Sequence, residues 1–348
     1  MSRPTPQSVP GGLHLLDDRC SPVWDVDLFR ECGCGCLTCP HGSAEELAPQ
    51  ASFENYARTR KGVATLDGLG LNRRLPEQLK AWVRALDDRP RFVTLGHTTE
   101  PLPGFAEAEE VLERCLRVLL PANIGVSLQT RRLVPSQILD ILGEHASLTQ
   151  VTVPLPTLSD AELKIWEPGT ALANQRLWNV QQLRLRRVPV TVSIGPLVPF
   201  VNDDSAHLGP LVRALADAGV KQLTAEFMRL SDTVRERLER RSPVSTRLIF
   251  GAYEQRELDD RLDPRRPNLS RRRAVYRLIA KLAARRRVRF SLCRCADLVL
   301  GRQICQLWPA DSSPTATAPT RQERSRSRHR PPQAGAQVGF SDFFNSKR

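Results

Sequence analysis

The sequence is short of aromatic residues (5%) and contains no apolar run long enough to cross a membrane. A spanning helix needs about 20 consecutive apolar residues, so no transmembrane helix and no membrane partner are expected. Met1 to Gly12 is polar and rich in Pro and Gly, without an apolar h-region, so no signal peptide is expected. Evenly spread cysteine is also missing. The nine cysteines are odd in number and seven of them gather at two places, which does not look like a disulfide framework. Thiols used as ligands in a reducing, cytoplasmic compartment are the expectation instead. No internal repeat is present.

What is present is a chain of 348 residues, 41% hydrophobic and 26% charged, enough for one large core or two ordinary ones. The formal net charge of +13 is uneven. Residues 1–235 hold 25 Lys/Arg against 27 Asp/Glu, residues 236–308 hold 19 against 8, and residues 309–348 hold 7 against 3. Basicity confined to the C-terminal third points to a polyanion such as nucleic acid. The plainer reading is a set of solvated helix faces.

Four of the nine cysteines fall within Cys32-Gly33-Cys34-Gly35-Cys36-Leu37-Thr38-Cys39. Read as Cys32-x3-Cys36-x2-Cys39, three thiolates can ligate three irons of a [4Fe-4S] cluster and leave the fourth open. Gly33 and Gly35 allow a tight turn round it. Zinc on Cys36 and Cys39 with Cys34 or His41 is the rival. Spacing alone leaves both open.

The rest of the N-terminal two thirds alternates between strand and helix patterns. Strands are expected at Val23–Phe29, Phe92–Leu95, Ile124–Leu128, Leu148–Val153, Val188–Ile194 and Val220–Met228. Helices are expected at Pro76–Leu86, Ala106–Leu120, Ser136–Gly143, Asp160–Trp166, Asn174–Arg187 and Leu208–Ala218. Six such units imply an α/β fold, a (βα)6 partial TIM barrel with its site on the loops that follow the strands. The organisation expected is a disordered leader over 1–17, the barrel over 18–235, a basic, mainly helical extension over 236–308 and a disordered tail over 309–348.

In the extension, Ser270 is expected to cap a helix running to Arg287, with Arg271, Arg272, Arg273, Arg285, Arg286 and Arg287 as candidate phosphate contacts. Val288–Leu292 reads as a strand entering a second cysteine group, Cys293, Cys295 and Cys305. That group is a candidate auxiliary metal site or thiol hydrogen donor; the plainer reading is three small buried hydrophobes. Cys34 reads as a bystander, Cys115 as core and Cys20 as a weak candidate. His97 is a candidate proton donor because it stands at a strand end.

Beyond the cysteine loop, four segments in order resemble the radical S-adenosylmethionine superfamily, and within it the group related to spore photoproduct lyase. They are Thr94-Leu95-Gly96-His97-Thr98-Thr99-Glu100-Pro101; Ser127-Leu128-Gln129-Thr130-Arg131; Glu167-Pro168 with Asn174 and Arg176; and Ile194-Gly195-Pro196-Leu197-Val198-Pro199-Phe200-Val201-Asn202-Asp203. The resemblance covers about residues 20–235. It implies a [4Fe-4S] cluster on Cys32, Cys36 and Cys39 and reductive cleavage of S-adenosylmethionine to a 5′-deoxyadenosyl radical that abstracts hydrogen from substrate. It further implies Thr99 and Glu100 near the methionyl amino group, Ser127, Thr130 and Arg131 near its carboxylate or the ribose, and Gly195 and Pro196 beside the adenosine. An electron donor such as flavodoxin or ferredoxin is implied as a partner.

Departures from the group's pattern are Thr38, where an aromatic residue usually precedes the last cysteine, Glu100 for Asp, Leu102 for Tyr, and Arg131 for Lys. His97 stands where the lyase carries a hydrogen-donating cysteine, which counts against spore photoproduct repair itself. A nucleic-acid base or lesion is the leading substrate class, with a DNA-repair role in view. Radical modification of a peptide or small metabolite, or a non-catalytic metal-stabilised nucleic-acid-binding module, are the alternatives. In the tail, Gln337 to Phe344 resembles a sliding-clamp-binding peptide and is a candidate partner segment.

Overall fold

The computed structural model describes residues 12–16, 23–39, 69–241, 243–254, 258 and 263–301. These form one open sheet of eight strands in sequential order: β1 (Leu13–Leu16), β2 (Val23–Val26), β3 (Phe92–Leu95), β4 (Gly125–Gln129), β5 (Thr149–Pro154), β6 (Val190–Leu197), β7 (Gln222–Phe227) and β8 (Arg289–Ser291). Strands β2 to β8 are parallel, and β1 pairs antiparallel with β2. Between them run α1 (Leu75–Ala85), α2 (Ala106–Leu119), α3 (Ser136–Glu144), α4 (Asp160–Trp166), α5 (Ala173–Leu185), α6 (Ser205–Asp217), α7 (Asp232–Arg241), α8 (Pro243–Gly251) and α9 (Leu269–Arg285).

Register divides the sheet into two chemically opposite faces, because residues paired across neighbouring strands project to the same side. Trp24 meets Trp82 of α1 edge-on at 5.8 Å, which marks the helix-covered face. On that face lie Val26, Leu95, Leu128, Val151, Val192 and Leu223, all buried. The other face carries Asp25, Thr94, Ser127 and Gln150 in one row and Gln129, Thr152, Thr191 and Gln222 in another. A closed barrel of this kind fills its interior with branched side chains. Here the lumen face is polar, which suits a chamber for a substrate.

The six expected strands and the six helices between them are all present, with ends shifted by up to three residues. Several expectations are corrected. Leu13–Leu16, placed in a disordered leader, is a strand, because it pairs with β2 from Leu13↔Val26 to Leu16↔Val23. β8 pairs with β7, so the basic extension continues the sheet. The cap of α9 is Asn268, whose side chain accepts from the Arg271 N–H at 3.0 Å, and not Ser270. Residues 309–348, including Gln337 to Phe344, and Cys20, His41 and Cys305 lie outside the described residues. No helix among the described residues is long and apolar enough to cross a membrane.

Arg272 is fully buried, so it is no phosphate contact. Its guanidinium donates to Asp297 at 2.6 Å and to the Pro267 carbonyl at 2.7 Å, and Asp297 also accepts from the Leu300 N–H. A buried pair of this kind contributes little net stability, but removing one partner strands a charge. Asp297→Ala alone is expected to cost about 3–5 kcal/mol in urea unfolding, and Arg272→Leu with Asp297→Ala to recover much of that loss.

Candidate functional site

The cysteine loop and three of the four later segments run out from the C-terminal ends of strands, and Glu167-Pro168 follows α4 in the connection after β5, so all of them meet at one mouth. The cysteine loop leaves β2 and turns at Gly35, whose φ is +62°. Cys34 is buried, and Cys32, Cys36 and Cys39 are half-buried. Hydrogen bonding with the Cys34 thiol pulls the Cys32 thiol down to about 7 against its burial, and its contacts with Cys32 and Cys36, with burial, push Cys34 well up. Cys34 therefore stands between Cys32 and Cys36 in the loop rather than turned away from them.

The loop is fastened to the segment after α4. The Leu37 N–H donates to the Trp166 carbonyl at 2.9 Å, and the Gly169 N–H donates to the Cys34 carbonyl at 2.9 Å. A Cβ on Gly169 would sit 2.7 Å from that same carbonyl, so only glycine allows the approach. From α7, Arg237 donates to the Cys39 carbonyl at 2.6 Å.

Behind this seam lies a chain of buried charges. Glu167 accepts from Arg176 at 2.7 Å and from Arg131 at 3.2 Å. Burial opposes its charge, but the two guanidinium groups prevail and hold the carboxyl below its ordinary value. Burial also opposes the charge on Arg131, yet Glu167 and the thiols of Cys36 and Cys34 hold it firmly protonated. Glu100 accepts from the Thr130 hydroxyl at 2.5 Å and the Arg131 N–H at 2.8 Å; burial pushes its carboxyl up. Glu100, Thr130 and Arg131 are thus brought together beside the thiols. Leu102 is buried, and its N–H donates to Glu100.

Pro196, joined to Gly195 by a cis peptide, borders a narrow cleft that Thr38 shares with Trp166, Glu167 and Asn202. Ser127 lies one row deeper, beside Thr94 on the lumen face. His97 is half-buried in the turn after β3. Cys115 is core on α2, where burial pushes its thiol up. The Cys293 and Cys295 sulfurs stand 2.7 Å apart just after β8, both buried.

The six arginines do not form one strip. Arg271 lies at the mouth, where it binds Asp203 through two bonds of 2.7 and 2.8 Å and covers the Phe200 ring at 3.7 Å. Arg273 is half-buried. Arg285, Arg286 and Arg287 are exposed at the far end of α9, about 21 Å or more away at 1.5 Å per residue, where the chain turns into the start of β8.

A second cluster went unread in the sequence. Asp25, fully buried on the lumen face, accepts from Thr94 at 2.5 Å and Thr98 at 3.0 Å. Asp27 accepts from the Thr99 hydroxyl at 2.7 Å, and His14 lies 3.6 Å from Asp25 and 3.7 Å from Asp27. The signal was the alternation Val23-Trp24-Asp25-Val26-Asp27-Leu28, which puts both carboxylates on one face. Burial, then the charge of Asp27, raises the Asp25 carboxyl to about 6 despite its hydroxyl donors. The folded chain therefore binds more protons than the unfolded chain between about pH 4 and pH 6, and stability falls as pH rises through that window. Asp25→Asn is expected to flatten this fall by roughly 2–3 kcal/mol, read from urea unfolding at pH 4 and pH 7.

No family model matches the chain. Among curated proteins, the uncharacterized protein ORF301 of Acidianus two-tailed virus is 27% identical over 143 residues, 40% of this chain and 46% of that protein, so the chain spans under half the length of this relative. Among solved structures, a cysteine-to-serine mutant of spore photoproduct lyase matches with a TM-score of 0.53 at 13% identity, over 77% of this chain and 75% of that one. A radical SAM methyltransferase from Sphaerobacter thermophilus matches with a TM-score of 0.47 at 17% identity, over 80% of this chain and 67% of that one. The chain has the fold of spore photoproduct lyase, the partial barrel expected from the resemblance of its motif segments.

Proposed function

We propose that the protein is a radical S-adenosylmethionine enzyme whose [4Fe-4S] cluster is held by Cys32, Cys36 and Cys39. The observation that carries this is the cysteine loop at the mouth, with Cys34 against Cys32 and Cys36 and with Arg131, tied to Glu100 and Glu167, beside it. The donor set fits the group: soft thiols, one already poised to ionise near neutral pH, on a loop that glycine lets turn tightly. Such a cluster supplies the electron that cleaves S-adenosylmethionine to methionine and a 5′-deoxyadenosyl radical. The residues of the chain do the rest. Glu100 and Thr130 present a buried acceptor and a hydroxyl for the methionyl amino group, and Arg131 offers a guanidinium for its carboxylate. The seam from Trp166 to Gly169 closes the loop against the barrel, which limits water at a site where radicals must survive.

For the substrate, we favour a nucleic-acid base. The support is the exposed Phe200 ring, backed by Arg271 at the mouth, beside a region of 19 Lys/Arg against 8 Asp/Glu. Phe200 has a φ of +66°, a costly backbone state for a bulky residue and one that clusters at functional sites. Its N–H is tied to Asp203 at 2.9 Å. Radical modification of a peptide or small metabolite is the competing reading.

After anaerobic reconstitution, dithionite and S-adenosylmethionine are expected to yield 5′-deoxyadenosine. Cys36→Ala should abolish its release and the cluster absorbance together, while Cys34→Ala should keep most of the iron. No release above the Cys36 variant would leave a metal-stabilised binding module as the reading. For the substrate class, affinity for single-stranded DNA should fall steeply as salt rises from 50 to 200 mM, by roughly tenfold or more for a few phosphate contacts; a flat response would favour the peptide or metabolite.

A further inference from the structure

The first two strands bring a histidine and two aspartates together on the lumen face. β1 runs antiparallel to β2, and the register sets His14 directly opposite Asp25. Residues opposite each other on neighbouring strands project to the same side, as does the residue two further along. His14, Asp25 and Asp27 therefore share one face. Asp27 is pinned there by its own N–H, which donates to the Gly12 carbonyl at 2.6 Å. One nitrogen of His14 and one oxygen of each carboxylate all lie within 4.8 Å of one another. The Asp25 side chain is wholly buried, that of Asp27 is 11% exposed, and His14, 42% exposed, closes the group at the sheet edge.

The way the oxygens are used points to a ligand. Asp27 Oδ1 accepts from the Thr99 hydroxyl at 2.7 Å and the Thr99 N–H at 3.2 Å, while Oδ2 faces His14 Nδ1 at 3.7 Å. Asp25 Oδ1 accepts from Thr94, and Oδ2 accepts from Thr98 and faces His14 Nε2 at 3.6 Å. Separations of 3.6 and 3.7 Å are too long for hydrogen bonds. They approach the spacing of two ligands on one ion, about 3.0–3.4 Å when each bond is near 2.1 Å. Threonine donors hold each carboxylate, as donors around a metal site orient its ligands. Two carboxylates side by side also repel, and buried charges persist where they are paired or coordinate a metal. We propose that His14, Asp25 and Asp27 form a divalent-cation site on the lumen face. Two hard oxygens and one imidazole, with no thiol, suit an ion of the Mn²⁺ class, whereas softer ions are drawn to the cysteine loop. Three protein ligands leave the remaining octahedral positions to water or to an oxygen entering the lumen. The site shares no residue with the cysteine loop, so it stands apart from the cluster reading.

The test titrates the full-length reconstituted chain, without reductant, with Mn²⁺ and follows the electron paramagnetic resonance signal of the free ion. Wild type is expected to take up a single Mn²⁺ per chain, and pulsed spectra of the bound ion should show coupling to an imidazole nitrogen. His14→Ala should weaken uptake by roughly tenfold or more and remove that coupling. His14 is partly exposed, so its loss spares the core, and an unchanged urea midpoint checks this. Asp27→Asn should weaken uptake by a similar factor. Cys36→Ala, which cannot hold the cluster, should take up Mn²⁺ as wild type does. No uptake by wild type, uptake unchanged in both His14→Ala and Asp27→Asn, uptake lost in Cys36→Ala, or bound Mn²⁺ without nitrogen coupling would overturn the inference. Release of 5′-deoxyadenosine is scored separately. Cleavage without Mn²⁺ uptake sinks the ion site alone, and uptake without cleavage sinks the catalytic reading alone.

Discussion

The site depends on one buried carboxylate. Glu167 has no access to water, so it persists as an anion only because Arg176 and Arg131 donate to it. Arg176 is itself wholly buried and also donates to the carbonyls of Ala171 and Pro154 and to the Thr170 hydroxyl. This knot fixes the turn from Trp166 to Gly169, and that turn carries the two backbone bonds holding the cysteine loop. The position of the thiols is therefore decided by a carboxylate more than 125 residues further along the chain.

Arg131 joins this knot to the reactive side of the mouth. Its side chain pairs with Glu167, its own N–H donates to Glu100, and it lies close to Cys36. One residue thus links Glu167, Glu100 and the cysteine loop. On the opposite side of the 98–100 turn, Asp25 and Asp27 hold Thr98 and Thr99 through their hydroxyls. Glu100 is set between two polar networks, which fix its orientation.

Much of this was legible from residue order. Alternating apolar patterns placed the six strands and their helices, because a buried face imposes its period on any sequence that folds this way. The cysteine spacing and the four later segments located the mouth, since the loops after parallel strands converge there whatever their distance in sequence. The arginine run was less informative. A helix presents its residues all round, so periodicity shows that Arg271 to Arg287 surround the apolar stripe without showing which are used. Arg272 turned inward to Asp297, Arg271 was taken by Asp203 and Phe200, and the last three were carried to the far end of the helix. Leu13–Leu16 was missed because a four-residue edge strand carries too short a pattern to stand out from a loop.

By itself the sequence determined the succession of strands and helices and the cysteine loop, because these follow from local period and from connections between neighbouring units. Only the tertiary structure decided which polar groups meet. The pairing of Glu167 with Arg131 and Arg176 and the approach of His14 to Asp25 depend on distances of a few ångströms between separate elements. Hydrogen bonds and desolvation act over that range, and no spacing along the chain encodes it.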